Sequence, residues 1–293
     1  MFWKTKGDSI MYRIGRSSCG KPITEQLLVN YQSTGIEAIE VSLGAESYPS
    51  ADFKEYARLA EKYGVELWSL HLPIAPQQHY DISNKNATVE AMAYQTELIK
   101  RACETMGIKH FVIHSGGEPL LESEREERIK LAGEKLSVLA DLTEPYGADI
   151  AIEDLPRTCL GRDSDEILAM LAYDERLRVC FDANHLFREK EADFIRKIGK
   201  KIVTTHISDR DHINERHWLP GEGVLDWNSI LDALEDVGYN GVWMYEIDFE
   251  IPKNILRDRE LTCEDFVKNA REVFERKKPT VISRPKPNLG MWE

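Results

Sequence analysis

Residues 148–183 read ADIAIEDLPRTCLGRDSDEILAMLAYDERLRVCFDA, and this stretch contains the pattern that decides the fold. A short apolar run at 148–154 is followed by a segment with helical periodicity at 164–174 and by a second short apolar run at 177–183. Runs of this length, rich in Val, Ile and Phe, are typical of buried parallel strands. The stretch therefore predicts a strand–helix–strand unit with parallel strands.

The same alternation extends through most of the chain. Segments with helical periodicity separate the short apolar runs, and several of them end in a glycine, as helix C-termini often do, at Gly64, Gly107 and Gly147. Eight strands alternating with eight helices predict a closed (β/α)8 barrel, the TIM barrel of the α/β class. The predicted strands lie at 12–17, 36–43, 65–71, 110–115, 148–154, 177–183, 201–208 and 241–248.

The chain is predicted to form one domain. No low-complexity linker divides residues 1–293, and the barrel itself is expected over about 10–277. The tail at 278–293 contains three prolines, so it cannot be helical throughout. We expect it to run extended over the barrel or onto a neighbouring subunit of a dimer or tetramer.

Composition and charge exclude several classes of partner. A net charge of −13 disfavours binding to nucleic acid. The first ten residues lack a basic region followed by an apolar run, and no stretch approaches the roughly 20 apolar residues of a membrane-spanning helix. The five scattered cysteines are typical of free thiols in a reducing compartment. We therefore expect a cytoplasmic protein with no membrane or nucleic-acid partner.

Six consecutive predicted strands end in an ionisable side chain, and active sites of TIM barrels lie at this rim. Burying so many unpaired charges would be costly, and a divalent cation is the simplest compensation. Strands five to eight are adjacent and supply an oxygen-rich set that suits Mn²⁺, Mg²⁺ or Co²⁺. We predict one divalent ion, Mn²⁺ foremost with Zn²⁺ also a candidate, bound by Glu153, Asp182, His206 and Glu246.

Further polar residues are expected around this ion. His71 and His114 end strands three and four, on the far side of the rim, where they could contact a substrate. His185 lies three residues after Asp182, and His217 precedes an ordered turn with the sequence PGEG. The GEG segment at 221–223 is a short candidate phosphate loop.

These motifs together resemble the superfamily of xylose-isomerase-like barrels, which includes sugar-phosphate isomerases, ketose 3-epimerases and endonuclease IV. The resemblance extends over about residues 10–277. The motifs that carry it are SLHLP around His71, VIHSGG around His114, AIEDLP around Glu153, CFDANH around Asp182 and His185, THISD around His206, LPGEGVLDW, and YEID around Glu246.

The resemblance to ketose 3-epimerases implies that the four predicted metal ligands form a single-metal site. It also implies that Glu153 and Glu246 are the acid/base pair of an isomerase or epimerase, which moves a proton through a metal-stabilised enediolate. The substrate would be a sugar or a sugar phosphate. His185 matches a substrate-binding histidine, and His212 stands where the family often has an arginine, so both are expected to contact the substrate together with His71, His114 and His217.

Two alternatives stay open within the superfamily. Endonuclease IV binds three zinc ions through nine ligands, and eight of these positions match here, while Glu215 replaces an aspartate at the ninth. The net charge and the first loop, RSSCGKPITE, argue against such a multinuclear zinc phosphodiesterase. A dehydratase acting on inositol-derived or shikimate-type compounds is the other alternative. The matching ligand positions are His71, His114, Glu153, Asp182, His185, His206, His217 and Glu246.

Overall fold

The computed structural model describes residues 11–73 and 80–291, so the first ten residues, on which the expectation about a signal sequence rests, lie outside it. Within the described residues, eight strands of one sheet alternate with eight helices. The strands β1 to β8 are Arg13–Ser17, Ala38–Val41, Glu66–His71, His110–Ile113, Asp149–Glu153, Arg178–Asp182, Ile202–His206 and Val242–Tyr245. The helices α1 to α8 are Glu25–Thr34, Phe53–Tyr63, Thr88–Met106, Arg125–Thr143, Ser164–Leu171, Glu191–Ile198, Trp227–Val237 and Cys263–Phe274.

The sheet closes into a barrel. Neighbouring strands pair in parallel in the order β7-β6-β5-β4-β3-β2-β1-β8. The two ends of this order meet at a bridge between Ile207 and Tyr245. Here the Ile207 amide donates to the Met244 carbonyl (2.8 Å), and the Glu246 amide donates to the Ile207 carbonyl (3.2 Å). The predicted TIM barrel is therefore confirmed.

Local signals in the sequence set the ends of the helices. The Asp52 side chain caps α2 by accepting a hydrogen bond from the Glu55 amide (3.0 Å), which satisfies an otherwise unpaired donor. Gly64 and Gly107 end α2 and α3 with φ angles of 64° and 67°, in the left-handed region that favours glycine. Gly147 follows the 3₁₀ turn that extends α4. The glycine stops predicted from the sequence are thus in place.

The inside of the barrel is packed with side chains. One small apolar cluster joins Ala38, Val242 and Met244 with Trp68 packed against it. Gly15 on β1 leaves room for this cluster, since a Cβ atom at that position would lie 2.5 Å from Val242 Cγ1. Because the barrel is filled, as in other barrels of eight strands, a ligand can approach only at the rim.

The tail returns to the barrel and contacts one of its loops. Strand β10 (Ser283–Pro285) pairs antiparallel with β9 (Ile255–Arg257), which lies between β8 and α8. Beyond β10, the carbonyl of Gly290 accepts a hydrogen bond from Arg216 (2.6 Å) in the loop between β7 and α7.

Among the described residues, none of the helices is both long and apolar enough to span a membrane.

Candidate metal centre

The C-terminal ends of the barrel strands bring the predicted ligands together. Glu153, Asp182 and His206 are the last residues of β5, β6 and β7, and Glu246 directly follows β8. One ligand atom from each of the four lies within 4.8 Å of those of the other three. We call these four residues the central cluster.

The geometry within the central cluster is close. His206 Nδ1 lies 3.0 Å from Glu153 Oε1 and 3.7 Å from both Asp182 Oδ2 and Glu246 Oε2. Glu153, Asp182 and His206 are fully buried, whereas the Glu246 side chain is 15% exposed. The cluster therefore opens to solvent on the side of Glu246.

The central cluster fits a hard divalent cation. The Asp182 Oδ1 atom accepts a hydrogen bond from the Asn184 amide (2.6 Å), but the buried Oδ2 atom has no hydrogen-bond partner among the described residues. Burying a carboxylate oxygen that has no hydrogen-bond partner and faces other carboxylates lowers the stability of the folded state unless a cation is bound. Three carboxylates and one imidazole form a donor set suited to Mn²⁺ or Mg²⁺.

The environment drives the pKa values of the two glutamates apart. Burial raises the pKa of the Glu246 carboxyl to about 7 against the opposing charges of His206 and His217. Burial alone would also raise the pKa of Glu153, but the adjacent His206 and His114 rings hold it well below its ordinary value. The protein groups of the site thus shift the pKa values of these two carboxyls in opposite directions.

His71 and His114 approach the second oxygen of Glu153. Their Nε2 atoms lie 3.0 and 3.1 Å from Glu153 Oε2. The Nδ1 atom of His71 donates to the Leu72 carbonyl (2.7 Å), so its Nε2 atom is directed into the site. Burial lowers the pKa of His71, but the bond to Glu153 outweighs this effect and raises it to about 9. These three residues form a second group with metal-ligand geometry.

His185 and His217 form a third group with Glu215. His185 Nε2 lies 2.9 Å from Glu215 Oε2. The Nδ1 atoms of the two histidines donate to the backbone carbonyls of Asp154 (2.9 Å) and Glu246 (3.1 Å). A backbone carbonyl on one ring nitrogen fixes the orientation of the imidazole and directs the other nitrogen towards a ligand.

His212 does not join these groups. Its side chain is exposed, and it lines a different groove on the outside of the barrel. That groove lies between the loop after β6 and helices α6 and α7, with Phe187, Lys190 and Val224 in its walls. Of the nine residues predicted to bind metal or substrate, the structure brings eight together and leaves His212 apart.

The GEG segment has its own structural role. The carboxylate of Asp209 accepts hydrogen bonds from the backbone amides of Gly221 (2.8 Å) and Leu225 (3.2 Å) and from the Trp227 indole (3.0 Å). Gly223 packs so closely that a Cβ atom would lie 2.2 Å from the Arg210 carbonyl oxygen. The turn is thus folded around Asp209, and these amides are not directed at a phosphate.

A cavity of about 570 Å³ lies in front of the central cluster. Its walls combine apolar side chains and backbone from the first two βα loops with the exposed edge of the site. Such a volume suits a small molecule of the size of a sugar. The cavity is lined by Cys19, Gly20, Ser42, Leu43, Gly44, Ala45, Glu46, His71, Leu72, His217, Glu246 and Asp248.

The residues of this site lie within a region that matches a known family. The sequence model of a protein family, the xylose isomerase-like TIM barrel, matches residues 29–264 of this chain. The chain belongs to this family. The match to the xylose isomerase-like barrel runs from within α1 to the start of α8 and contains the whole central cluster.

Relatives of known name are similar over part of this xylose isomerase-like barrel. Inosose isomerase from Bacillus velezensis is 29% identical over 194 residues, which cover 59% of this chain and 63% of the relative. Fructoselysine 3-epimerase from Escherichia coli O157:H7 is 29% identical over 121 residues, which cover 39% of this chain and 44% of the relative. The chain thus matches less than two thirds of the length of each of these two relatives.

Solved structures share the fold of the barrel more completely. A D-tagatose 3-epimerase-like protein superposes with a TM-score of 0.73 at 23% identity, over 90% of this chain and 96% of the other. D-Psicose 3-epimerase from Clostridium cellulolyticum H10 superposes with a TM-score of 0.69 at 18% identity, over 82% of this chain and 86% of the other. At these identities the comparison shows that the barrel fold is shared.

Two residues near the site were not predicted from the sequence. Arg157, in the loop after β5, contacts Glu215 Oε1 and Asn214 Oδ1, both at 2.7 Å, and so joins two loops at the rim. Nothing in the sequence marks this arginine, because its partners lie 57 and 58 positions away. Glu40 contacts His206, and a signal for it existed: it is a charged residue inside the apolar run of β2.

Proposed function

We propose that this protein is a divalent-metal-dependent carbohydrate isomerase or epimerase. The observation that carries the proposal is the pairing of Glu153 and Glu246 in one buried cluster that faces a cavity of sugar size. The names of the inosose isomerase and fructoselysine 3-epimerase relatives support the same reaction class. Mn²⁺ is the metal that we propose, held by Glu153, Asp182, His206 and Glu246.

The two glutamates are proposed to move the proton. Isomerisation or epimerisation beside a carbonyl requires a base that removes a proton from carbon and an acid that returns one. The protein groups alone hold the pKa of Glu153 well below its ordinary value and raise that of Glu246 to about 7, so the two carboxyls differ in how readily they take up a proton. A bound divalent cation would supply positive charge for the negative charge that develops on the substrate oxygens, and it would lower the pKa of Glu246.

The surrounding histidines are proposed to bind and orient the substrate. His71 and His217 line the cavity, and the side chains of His114 and His185 contact Glu153. Because Nδ1 of His217 donates to the Glu246 carbonyl, the Nε2 atom of the neutral ring can accept a hydrogen bond from a sugar hydroxyl. His212 is not included in this role, because it lines the outer groove. The five free cysteines are consistent with a proposed cytoplasmic location.

A screen for hydrogen exchange with solvent tests the proposed function. The full chain with Mn²⁺ is incubated in D₂O with free ketoses, sugar phosphates and inositol-derived ketones, and products are followed by proton NMR. We expect deuterium to enter at a carbon beside the carbonyl of at least one compound class. Loss of water without isomerisation would instead identify a dehydratase. Absence of any exchange by the Mn²⁺-loaded chain would contradict the proposal.

A multinuclear zinc phosphodiesterase is the second candidate. The observation that favours it is the presence of four groups with metal-ligand geometry among the described residues, two of which share Glu153. The fourth group, His71, His206 and Glu246, shares residues with both of these. The net charge of −13 disfavours a nucleic-acid substrate.

The number of bound metal ions separates the two candidates. We expect elemental analysis of the purified full chain, after dialysis against metal-free buffer, to give one divalent ion per chain. Three zinc ions per chain, together with cleavage of DNA that contains an abasic site, would establish the second candidate instead. A chain with Glu215→Gln serves as the control, because it changes the third group and leaves the central cluster unaltered.

A further inference from the structure

Glu40 is a buried carboxylate inside the barrel, below the central cluster. It lies on β2 and has no solvent exposure. Its Oε2 atom accepts hydrogen bonds from Ser69 Oγ on β3 (2.8 Å) and from His206 Nε2 on β7 (3.1 Å). Strands β2 and β7 are not neighbours in the sheet, so the contact between Glu40 and His206 crosses the interior of the barrel.

This contact determines which nitrogen of His206 faces the central cluster. A carboxylate only accepts hydrogen bonds, so the Nε2 atom bound to Glu40 carries a hydrogen. The Nδ1 atom then points to the other side of the ring, 3.0 Å from Glu153 Oε1 and 3.7 Å from Asp182 Oδ2. The His71 ring stacks on the His206 ring at a centroid distance of 5.6 Å and limits its rotation.

Burial of the Glu40 carboxylate lowers the stability of the folded state, so the stability of the fold does not explain this residue. Its second oxygen, Oε1, is buried and has no hydrogen-bond partner among the described residues. The interior around β2 also contains an apolar cluster, and an uncharged side chain of similar volume could extend it. A carboxylate at this position is therefore better explained by its effect on His206.

We propose that Glu40 is a positioning residue for the metal site: it holds the Nε2–H of His206, fixes the orientation of the ring and makes Nδ1 the ligand atom. The inference rests on the proposed function, because it requires a divalent ion in the central cluster. A carboxylate behind a ligating histidine also raises the basicity of the ligand and so strengthens metal binding.

A spectroscopic experiment on the unaltered protein tests which nitrogen is the ligand. The full chain, labelled with ¹⁵N-histidine and loaded with ¹¹³Cd²⁺, is examined by NMR, and His206→Gln identifies the His206 signals. We expect the cadmium coupling at Nδ1 of His206 and a hydrogen on Nε2. Coupling at Nε2 would overturn the inference, and the coupling itself is measured on a chain in which Glu40 and His206 are unchanged.

Replacing Glu40 by Gln tests its contribution to binding. Glu40→Gln retains the shape of the side chain but removes the charge, and we expect the Kd for Mn²⁺, measured by electron paramagnetic resonance, to rise roughly 10- to 100-fold. Glu66→Gln is the matched control. Glu66 is the first residue of β3, at the end of the strand away from the central cluster, and it pairs with the exposed Arg13. A Kd for Glu40→Gln within twofold of the wild-type value would overturn this inference alone. A wild-type chain without Mn²⁺ affinity would overturn the proposed function as well.

Discussion

Replacing either glutamate of the proposed acid/base pair by glutamine is expected to abolish turnover while the barrel stays folded. For Glu246→Gln we expect kcat to fall roughly 10²- to 10⁴-fold, because an amide can neither take up nor release the proton. Glu153→Gln should be at least as severe, since Glu153 also joins the central cluster to His71 and His114. The measurement is the rate of solvent deuterium incorporation with the substrate that the screen identifies.

Two controls separate chemistry from folding in this experiment. Glu260→Gln, at an exposed position between β9 and α8, should keep the wild-type rate. Circular dichroism should give the same helical signal for all variants, because both central glutamates lie at the rim and contribute no hydrophobic packing to the core. Wild-type rates in Glu153→Gln and Glu246→Gln would refute the assigned acid/base role.

Removing the metal is expected to abolish activity and to lower the melting temperature. Without a cation, the carboxylates of Glu153, Asp182 and Glu246 repel one another within 4.8 Å, so metal binding should stabilise the native state. At a free Mn²⁺ concentration of about 100 times Kd, the stabilisation is about 2.7 kcal/mol. For a chain of 293 residues this corresponds to roughly 4–5 °C in Tm.

The experiment compares one protein stock after chelation and after the return of Mn²⁺. Differential scanning calorimetry gives the two melting temperatures, and the exchange rate gives the two activities. Asp182→Asn provides the reference, because the loss of one ligand charge should reduce the shift in Tm without changing the barrel. An unchanged Tm together with full activity in the chelated protein would contradict the assignment of a metal centre.

The barrel and the central cluster could be predicted because their signals are local in the sequence. Each strand is a short apolar run, and each residue of the central cluster stands at or directly after the end of its strand, where a barrel places its active site. The predicted helix ends at Gly64 and Gly107 depend on a backbone conformation that glycine favours, so they too are local. Because a parallel barrel places the C-terminal ends of all its strands at one rim, residues at these ends are expected to lie close together.

Contacts between distant segments could not be predicted in the same way. Arg157 joins Glu215 through a loop that the strand pattern does not describe, and Glu40 reaches His206 across the barrel over 166 positions of the sequence. His212 illustrates the opposite case. The resemblance to ketose 3-epimerases implied a place in the site for this residue, but its side chain is exposed and lies outside the site. Side-chain direction in long loops depends on such tertiary contacts.

The return of the tail to the loop after β7 has a consequence for how the protein is made. This loop contains Glu215 and His217, and its Asn214 and Arg216 donate hydrogen bonds to the backbone of Met291 and Gly290. When the ribosome has finished β8, the residues that carry these two carbonyls have not yet been added to the chain, because they lie more than 40 positions later in the sequence. The two hydrogen bonds that join this loop to the tail can therefore form only after residue 291 has been translated, later than all eight strands of the barrel.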